Sequence, residues 1–148
     1  MEGNRAVSFE IRILRAGDEA FLNQVAPDVF DDPIQPRAAR EFLADPWHHL
    51  VVAIKDGTVV GFASGVHYIH PDKPDPEFWI NEVGVSADQR GRGIGKALMR
   101  AILGIAEDLG CREAWVLTDR DNEVAMRMYQ SLGGEESPEG TVLFTYYL

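Results

Sequence analysis

Val83-Gly84-Val85-Ser86-Ala87-Asp88-Gln89-Arg90-Gly91-Arg92-Gly93-Ile94-Gly95-Lys96-Ala97-Leu98 is the stretch on which the fold turns. A short apolar strand ends at Ser86-Ala87-Asp88. A turn with three glycines follows and opens directly into a helix. That helix carries Ala97, Leu98, Ala101, Ile102, Ile105 and Leu109 on one apolar face. Gly91, Gly93 and Gly95 let a ligand approach the backbone without a Cβ in the way. The first turn of a helix leaves amide N–H groups free, and the helix dipole adds partial positive charge there. Arg90, Arg92 and Lys96 add full charges, so the segment reads as a cradle for a pyrophosphate. It is not a P-loop, because Lys96 is followed by Ala97 rather than a hydroxyl residue. It is not a dinucleotide fingerprint either, because Lys96 stands where the last glycine is needed.

Outward from this segment the pattern alternates strands and helices. Val7, Phe9, Ile11 and Ile13 alternate with polar residues as in a strand. Asp18 is positioned to cap a helix bearing Phe21, Leu22 and Val25, broken at Asp31-Asp32-Pro33. A second helix begins near Pro36, carries Ala39, Phe42 and Leu43, and stops at Asp45-Pro46. Leu50 to Ile54 is a buried strand, Asp56-Gly57 a hairpin turn, and Thr58 to Tyr68 the returning strand. His70 to Pro76 is a loop, and Phe78 to Val85 the strand that leads into the turn. After the central helix, closed by Gly110, come a strand at Ala114–Leu117, a helix at Asn122–Leu132 stopped by Gly133-Gly134, and a last strand at Thr141–Leu148. The order β-α-α-β-β-β-α-β-α-β predicts a mixed α/β fold in one domain spanning residues 1–148.

Composition narrows the partners. The formal net charge is −10, which disfavours nucleic acid and leaves two readings open: solubility, or a site for a cationic ligand. No stretch approaches the ~20 apolar residues of a membrane span. Met1 to Arg5 lacks the apolar region of a secretory signal, and the single Cys111 forms no internal disulfide, so a cytoplasmic protein is expected. His48, His49, His67 and His70 match no metal-site spacing, so no metal is expected.

With strand before and helix after, Arg90-x-x-Gly93-x-Gly95 resembles the acyl-CoA motif of the GNAT N-acetyltransferase superfamily. Asn122-x-x-Ala125-x-x-x-Tyr129-x-x-x-Gly133 resembles that family's second signature. The resemblance covers essentially the whole chain. It implies a mostly antiparallel, twisted sheet splayed between its fourth and fifth strands and flanked by helices. It implies acetyl-CoA as cosubstrate, with the pantetheine arm held by backbone groups of Val83 and Val85. The pyrophosphate falls to Arg90, Gly91, Arg92, Gly93, Gly95 and Lys96, and Asn122, Ala125 and Tyr129 line the rest of the cosubstrate. Tyr129 would protonate the leaving thiolate, a role that suits a phenol of pKa about 10. Glu82 would be the general base, with Glu77 the runner-up and Asp119 a third choice. Transfer would be direct, in a ternary complex.

Within the superfamily the chain is similar to aminoglycoside 3-N-acetyltransferases of GNAT type. The matching stretches are Val29-Phe30-Asp31-Asp32, the segment from Phe42-Leu43 to Val51-Val52-Ala53, Glu77 to Val85, and Asp119 to Gly133. It departs at Asn81-Glu82, where that pattern carries an aromatic residue and an aspartate. The resemblance implies an acidic acceptor cleft drawn from Asp31, Asp32, Glu77, Glu82, Asp119, Asp121 and Glu123. Several carboxylates match several ammonium groups. Acetylation of a peptide N-terminus, a lysine or a small polyamine is the alternative acceptor chemistry, and a non-catalytic acyl-CoA-binding module a third reading. Val142, Phe144 and Tyr146 of the last strand offer a candidate surface for a homodimer.

Overall fold

The structure is a computed structural model and describes residues 8–137 and 140–148. Val7 and the Met1–Arg5 stretch lie outside them. The chain divides into a larger unit ending at Leu117 and a smaller one, Thr118–Leu148.

The larger unit is built on a five-stranded sheet in the order β1 (Glu10–Leu14), β2 (His48–Lys55), β3 (Thr58–Tyr68), β4 (Glu77–Val85) and β5 (Ala114–Val116). The first four strands pair antiparallel and β4 pairs parallel with β5. The β2–β3 hairpin turns at Asp56-Gly57, with φ of 49° and 76°. Two consecutive positive φ values match the twist of the flanking strands, and Asp-Gly tolerates them. Strand β5 touches β4 only from Phe78 to Ile80. There Trp79 stacks on Trp115 with ring planes 6° apart. β5 ends at Val116, opposite Ile80, so the sheet is mixed, as expected, and the second half of β4 extends beyond β5.

Each sheet face has its own cover. Paired residues in adjacent strands point to the same side. Leu14, Leu50, Val52 and Phe62 therefore share one face, where they form a core with Leu22, Val29 and Leu43. That core is closed by α1 (Pro36–Ala44) and the segment before it. Val51, Ala53, Ala63, Phe78 and Ile80 share the other face and are nearly inaccessible. The long helix α2 (Ile94–Asp108) packs there, with Ile94, Leu98 and Ile102 buried. Gly61 marks the closeness of this packing: a Cβ there would lie 3.1 Å from Leu98 and 3.2 Å from Ile94.

The smaller unit contains α3 (Glu123–Ser131). Asn122 caps it, its side-chain oxygen accepting the Ala125 N–H at 3.1 Å. Gly133, at φ 88°, ends it.

Two expectations are corrected. The segment after Asp18 is a single 3-10 turn, Glu19–Asn23, and not a capped α-helix. The Asp18 carboxylate accepts the Arg15 N–H at 2.9 Å and caps nothing downstream. Val25 leaves the turn to bridge Val59, with Ala26 N–H donating to the Val59 carbonyl and Val59 N–H to that of Gln24, both at 2.9 Å. Sheet pairing thus outcompetes further helix. The second correction is the last strand: residues 141–148 belong to no strand. Phe144 and Tyr146 are 76% and 82% exposed. Alternation supplies a strand's faces but not the neighbouring edge that a ladder needs. The surface proposed for a homodimer therefore has no strand to carry it.

On the α2 face, His49 Nε2 lies 2.7 Å from His67 Nδ1, and its ring sits 5.4 Å from that of Phe78. Burial, then the neighbouring His67, pull the His49 pKa from 6.5 down to about 4. The unfolded chain therefore takes up this proton first as acid is added, and folding stability is lost from pH 6.5 downward to about 4. The melting temperature is expected to fall across that window, and His49→Gln, which keeps a hydrogen-bonding group but does not titrate, to flatten the fall. Calorimetric scans between pH 7 and 4 check this.

Candidate functional site

β4 carries the site, and its register explains how. Ser64 pairs with Glu82 but Gly65 pairs with Ile80, so Asn81 is an extra residue in β4. In an unbroken strand, residues 78, 80 and 82 would share a face. The bulge at Asn81 reverses the alternation. Phe78 and Ile80 stay buried beneath α2, whereas Glu82 joins Ser64 and Phe62 on the opposite face.

There Glu82 lines a cleft of about 340 Å³. Asp31 and Asp32 lie on the same cleft, with Ser64 and Gln35 as further polar groups. The remaining wall is mainly apolar: Leu22, Phe30, Ile34, Phe42, Leu50 and Phe62. Phe30 stacks on Phe62 with centroids 4.1 Å apart. Three exposed carboxylates around an apolar floor attract an ammonium group, and a carboxylate beside it can take its proton.

Glu77 does not line this cleft. It sits at the far end of β4, where Tyr68 Oη–H donates to its Oε2 at 3.1 Å and His70 Nε2 lies 3.1 Å from the same oxygen. These contacts, the His70 one foremost, hold its carboxyl below the ordinary range.

The glycine turn is built as the sequence suggests. Gly91 and Gly93 have φ of 75° and 82°, and a Cβ at either would meet nothing within 4 Å. Gly93 caps α2, and the first helical bond runs from Ala97 N–H to its carbonyl at 3.1 Å. The amides of Ile94, Gly95 and Lys96 consequently have no partner within the helix. Arg90, Arg92 and Lys96 are exposed beside them. Arg90 Nε donates to the Val85 carbonyl at 3.4 Å. Open space over free amides, with cations around it, fits a pyrophosphate. Because β5 ends opposite Ile80, the Val83–Val85 stretch of β4 has no strand on its β5 side among the described residues, which fits an extended pantetheine arm.

In the smaller unit Asn122, Ala125 and Tyr129 fall three and four residues apart, on one face of α3. Tyr129 is half-buried, and burial pushes its phenol above the ordinary value, so it is protonated at neutral pH. Its carbonyl accepts the Gly134 N–H at 2.9 Å. Asp119, Asp121 and Glu123 are exposed.

One residue escaped the sequence reading. Asp28 accepts the Ser86 hydroxyl at 2.7 Å and the Ala87 N–H at 2.8 Å. The Ala87 amide first, then Ser86, lower its pKa. Its hydroxyl partner lies 58 residues along the chain, so no local pattern marks it.

Deleting Asn81 would make Ile80 and Glu82 neighbours in a regular ladder, which keeps Glu82 on the cleft face opposite Ser64 and removes only the bulge, at an expected cost of roughly 0.5–3 kcal/mol. Asn81→Ala keeps the bulge and is expected to cost under about 0.5 kcal/mol, as exposed positions do. Urea denaturation of the two variants checks the pair.

Residues 18–134 match the model of the acetyltransferase (GNAT) family. The N-alpha-acetyltransferase RimI of Mycobacterium tuberculosis is 35% identical over 71% of this chain and 63% of its own length. The chain spans between 38% and 63% of the first curated relatives it matches. In structure it is similar to the aminoglycoside N-acetyltransferase AAC(6')-Iy in complex with CoA, with a TM-score of 0.72, 25% identity and 95% of each chain covered. It is also similar to an aminoglycoside acetyltransferase from an uncultured soil metagenomic sample in complex with sisomicin. There the TM-score is 0.76 at 22% identity, over 95% of this chain and 96% of that one, a likeness of fold. With its motifs, its mixed five-stranded sheet and the family match over residues 18–134 in agreement, the chain belongs to the acetyltransferase (GNAT) family.

Proposed function

We propose that the chain, acting as one acetyltransferase domain, transfers the acetyl group of acetyl-CoA to a primary amine of an aminoglycoside and so confers resistance to it. The observation that carries this reading is the gathering of Asp31, Asp32 and Glu82 on one cleft, on the strand that runs into the glycine turn. A polyamine sugar offers several ammonium groups to such a cleft. The acetyl thioester supplies the electrophile.

In this reading the amides and cations of residues 90–96 hold the pyrophosphate. Backbone groups of Val83 and Val85 hold the pantetheine arm, with Asn122 and Ala125 further along it. An amide aimed at the developing oxyanion is worth roughly 2.7–4 kcal/mol where one donor has been removed. Glu82 takes the proton that the amine must lose. Tyr129 returns one to the departing thiolate. Asp119, Asp121 and Glu123 are further acidic groups for the acceptor. The 3-amino group is the nitrogen proposed, on the resemblance of the sequence to 3-N-acetyltransferases.

The identity to RimI favours a second reading, in which the acceptor is a peptide N-terminus, with lysine or a small polyamine as variants of it.

Thiol release from acetyl-CoA decides between them, with sisomicin and other aminoglycosides assayed beside unblocked peptides and polyamines. Turnover of aminoglycosides with an acceptor KM that climbs steeply with salt supports the first reading. Turnover of peptides alone replaces it with the second. NMR of the product identifies the acetylated nitrogen, and a 6'-acetylated product overturns the 3-amino assignment. Glu82→Gln is expected to flatten the acidic limb of the pH–rate profile; a retained limb moves the base elsewhere. Tyr129→Phe is expected to lower kcat by roughly 100-fold, as loss of a general acid does, with acetyl-CoA affinity nearly intact.

A further inference from the structure

The acidic lip of the cleft is fastened to the start of the glycine turn by three successive residues. Asp28 holds the Ser86 hydroxyl and the Ala87 amide. Val29 is buried, and its carbonyl lies against Gly84 so closely that a Cβ there would come within 2.8 Å of it. Phe30 stacks on Phe62. Asp31 and Asp32 follow at the cleft. On the other side, Ser86 is buried, its N–H donates to the Val60 carbonyl at 2.8 Å, and its carbonyl accepts the Gln89 N–H at 2.9 Å, one residue before Arg90.

A charged acceptor with two short donors is a strong tie. Its geometry is also specific. The Ser86 hydroxyl has one proton, and Asp28 at 2.7 Å competes for it with Asp88 at 3.0 Å. Resting on the acetyltransferase reading, we infer that Asp28 is a positioning residue that couples the two substrate sites: occupancy of the turn at residues 90–96 steadies Ser86-Ala87, and through Asp28 sets Asp31 and Asp32 for the acceptor. Asp28 touches neither substrate in this role.

The rescue chemistry follows from the donors. In Asp28→Asn the side-chain oxygen keeps the Ala87 amide. The NH2 group donates to Ser86 Oγ, whose own proton turns to Asp88. In Asp28→Ala the Ala87 amide and the Ser86 hydroxyl both lose the carboxylate.

Steady-state kinetics with sisomicin, or with an unblocked peptide if that is the amine turned over, test the coupling. Asp28→Ala is expected to raise the acceptor KM about tenfold and, because coupling is reciprocal, the acetyl-CoA KM at saturating acceptor comparably, while kcat and the affinity for CoA alone stay within about twofold, and Asp28→Asn to bring both KM values back within about threefold of the unaltered chain. Calorimetry supplies the second readout: CoA tightens acceptor binding in the unaltered chain, and that tightening is lost in Asp28→Ala. Should Asp28→Ala fail to fold, Ser86→Ala removes one donor only and is expected to raise the same two KM values, by less. An unchanged acceptor KM, an equal loss in the Asn variant, or CoA tightening that survives in Asp28→Ala overturns the coupling and leaves the transferase reading standing. No thiol release from the unaltered chain with any amine defeats the transferase reading itself, and the coupling with it.

Discussion

Strand β4 has two tasks that regular alternation cannot combine. It must bury Phe78 and Ile80 beneath α2, and it must present Glu82 to the opposite side of the sheet. Residues 78, 80 and 82 share a face in any unbroken strand. The extra residue at Asn81 removes the conflict by reversing the side-chain sense between Ile80 and Glu82. The same place marks the end of the pairing with β5, whose last partner is Ile80. One inserted residue therefore separates a half of β4 that serves the core from a half that serves the site.

The second half of β4 also separates charge. Glu82 shares its cleft with Asp31 and Asp32, and five residues past Val85 the chain enters the cationic turn of Arg90, Arg92 and Lys96. An overall charge of −10 would otherwise repel a pyrophosphate. Two left-handed glycines and the unbonded amides opening α2 supply local attraction that net charge conceals. Asp28 lies where these regions meet, an acidic group spent on hydrogen bonds to Ser86 and Ala87 and not on the cleft.

The cleft combines a carboxylate rim with a floor of Leu22, Phe30, Ile34 and Phe42. That combination suits an amine attached to a body with some apolar surface. In the proposed acetyl transfer, the choice among amines rests on how the rim carboxylates meet the positive charges of the acceptor, which is why ionic strength and acceptor identity are the informative variables.

Features governed by neighbours in sequence were legible in the sequence. Asp56-Gly57 makes its hairpin because both residues tolerate positive φ. Pro36 opens α1, Asn122 caps α3 and Gly93 caps α2, each through bonds spanning a few residues. The glycine turn, the mixed sheet and the grouping of Asp31, Asp32 and Glu82 were within reach for this reason and through the family motifs. Other features depend on partners far away in the chain. Sheet pairing at Val59 halts the helix expected after Asp18. Glu77 opens β4 opposite Tyr68, in contact with Tyr68 and His70, and so lies outside the cleft that Glu82 lines. The apolar alternation of residues 141–148 forms no strand without an edge to join. The bulge at Asn81 and the tie from Asp28 to Ser86 exist only once β3, β4 and the segment before α1 are side by side. Local sequence determines turns, caps and helix starts because their bonds close within a turn or two. Which way Glu82 faces, and what holds the acidic lip in place, was decided by register between strands, a property that no single stretch of sequence carries.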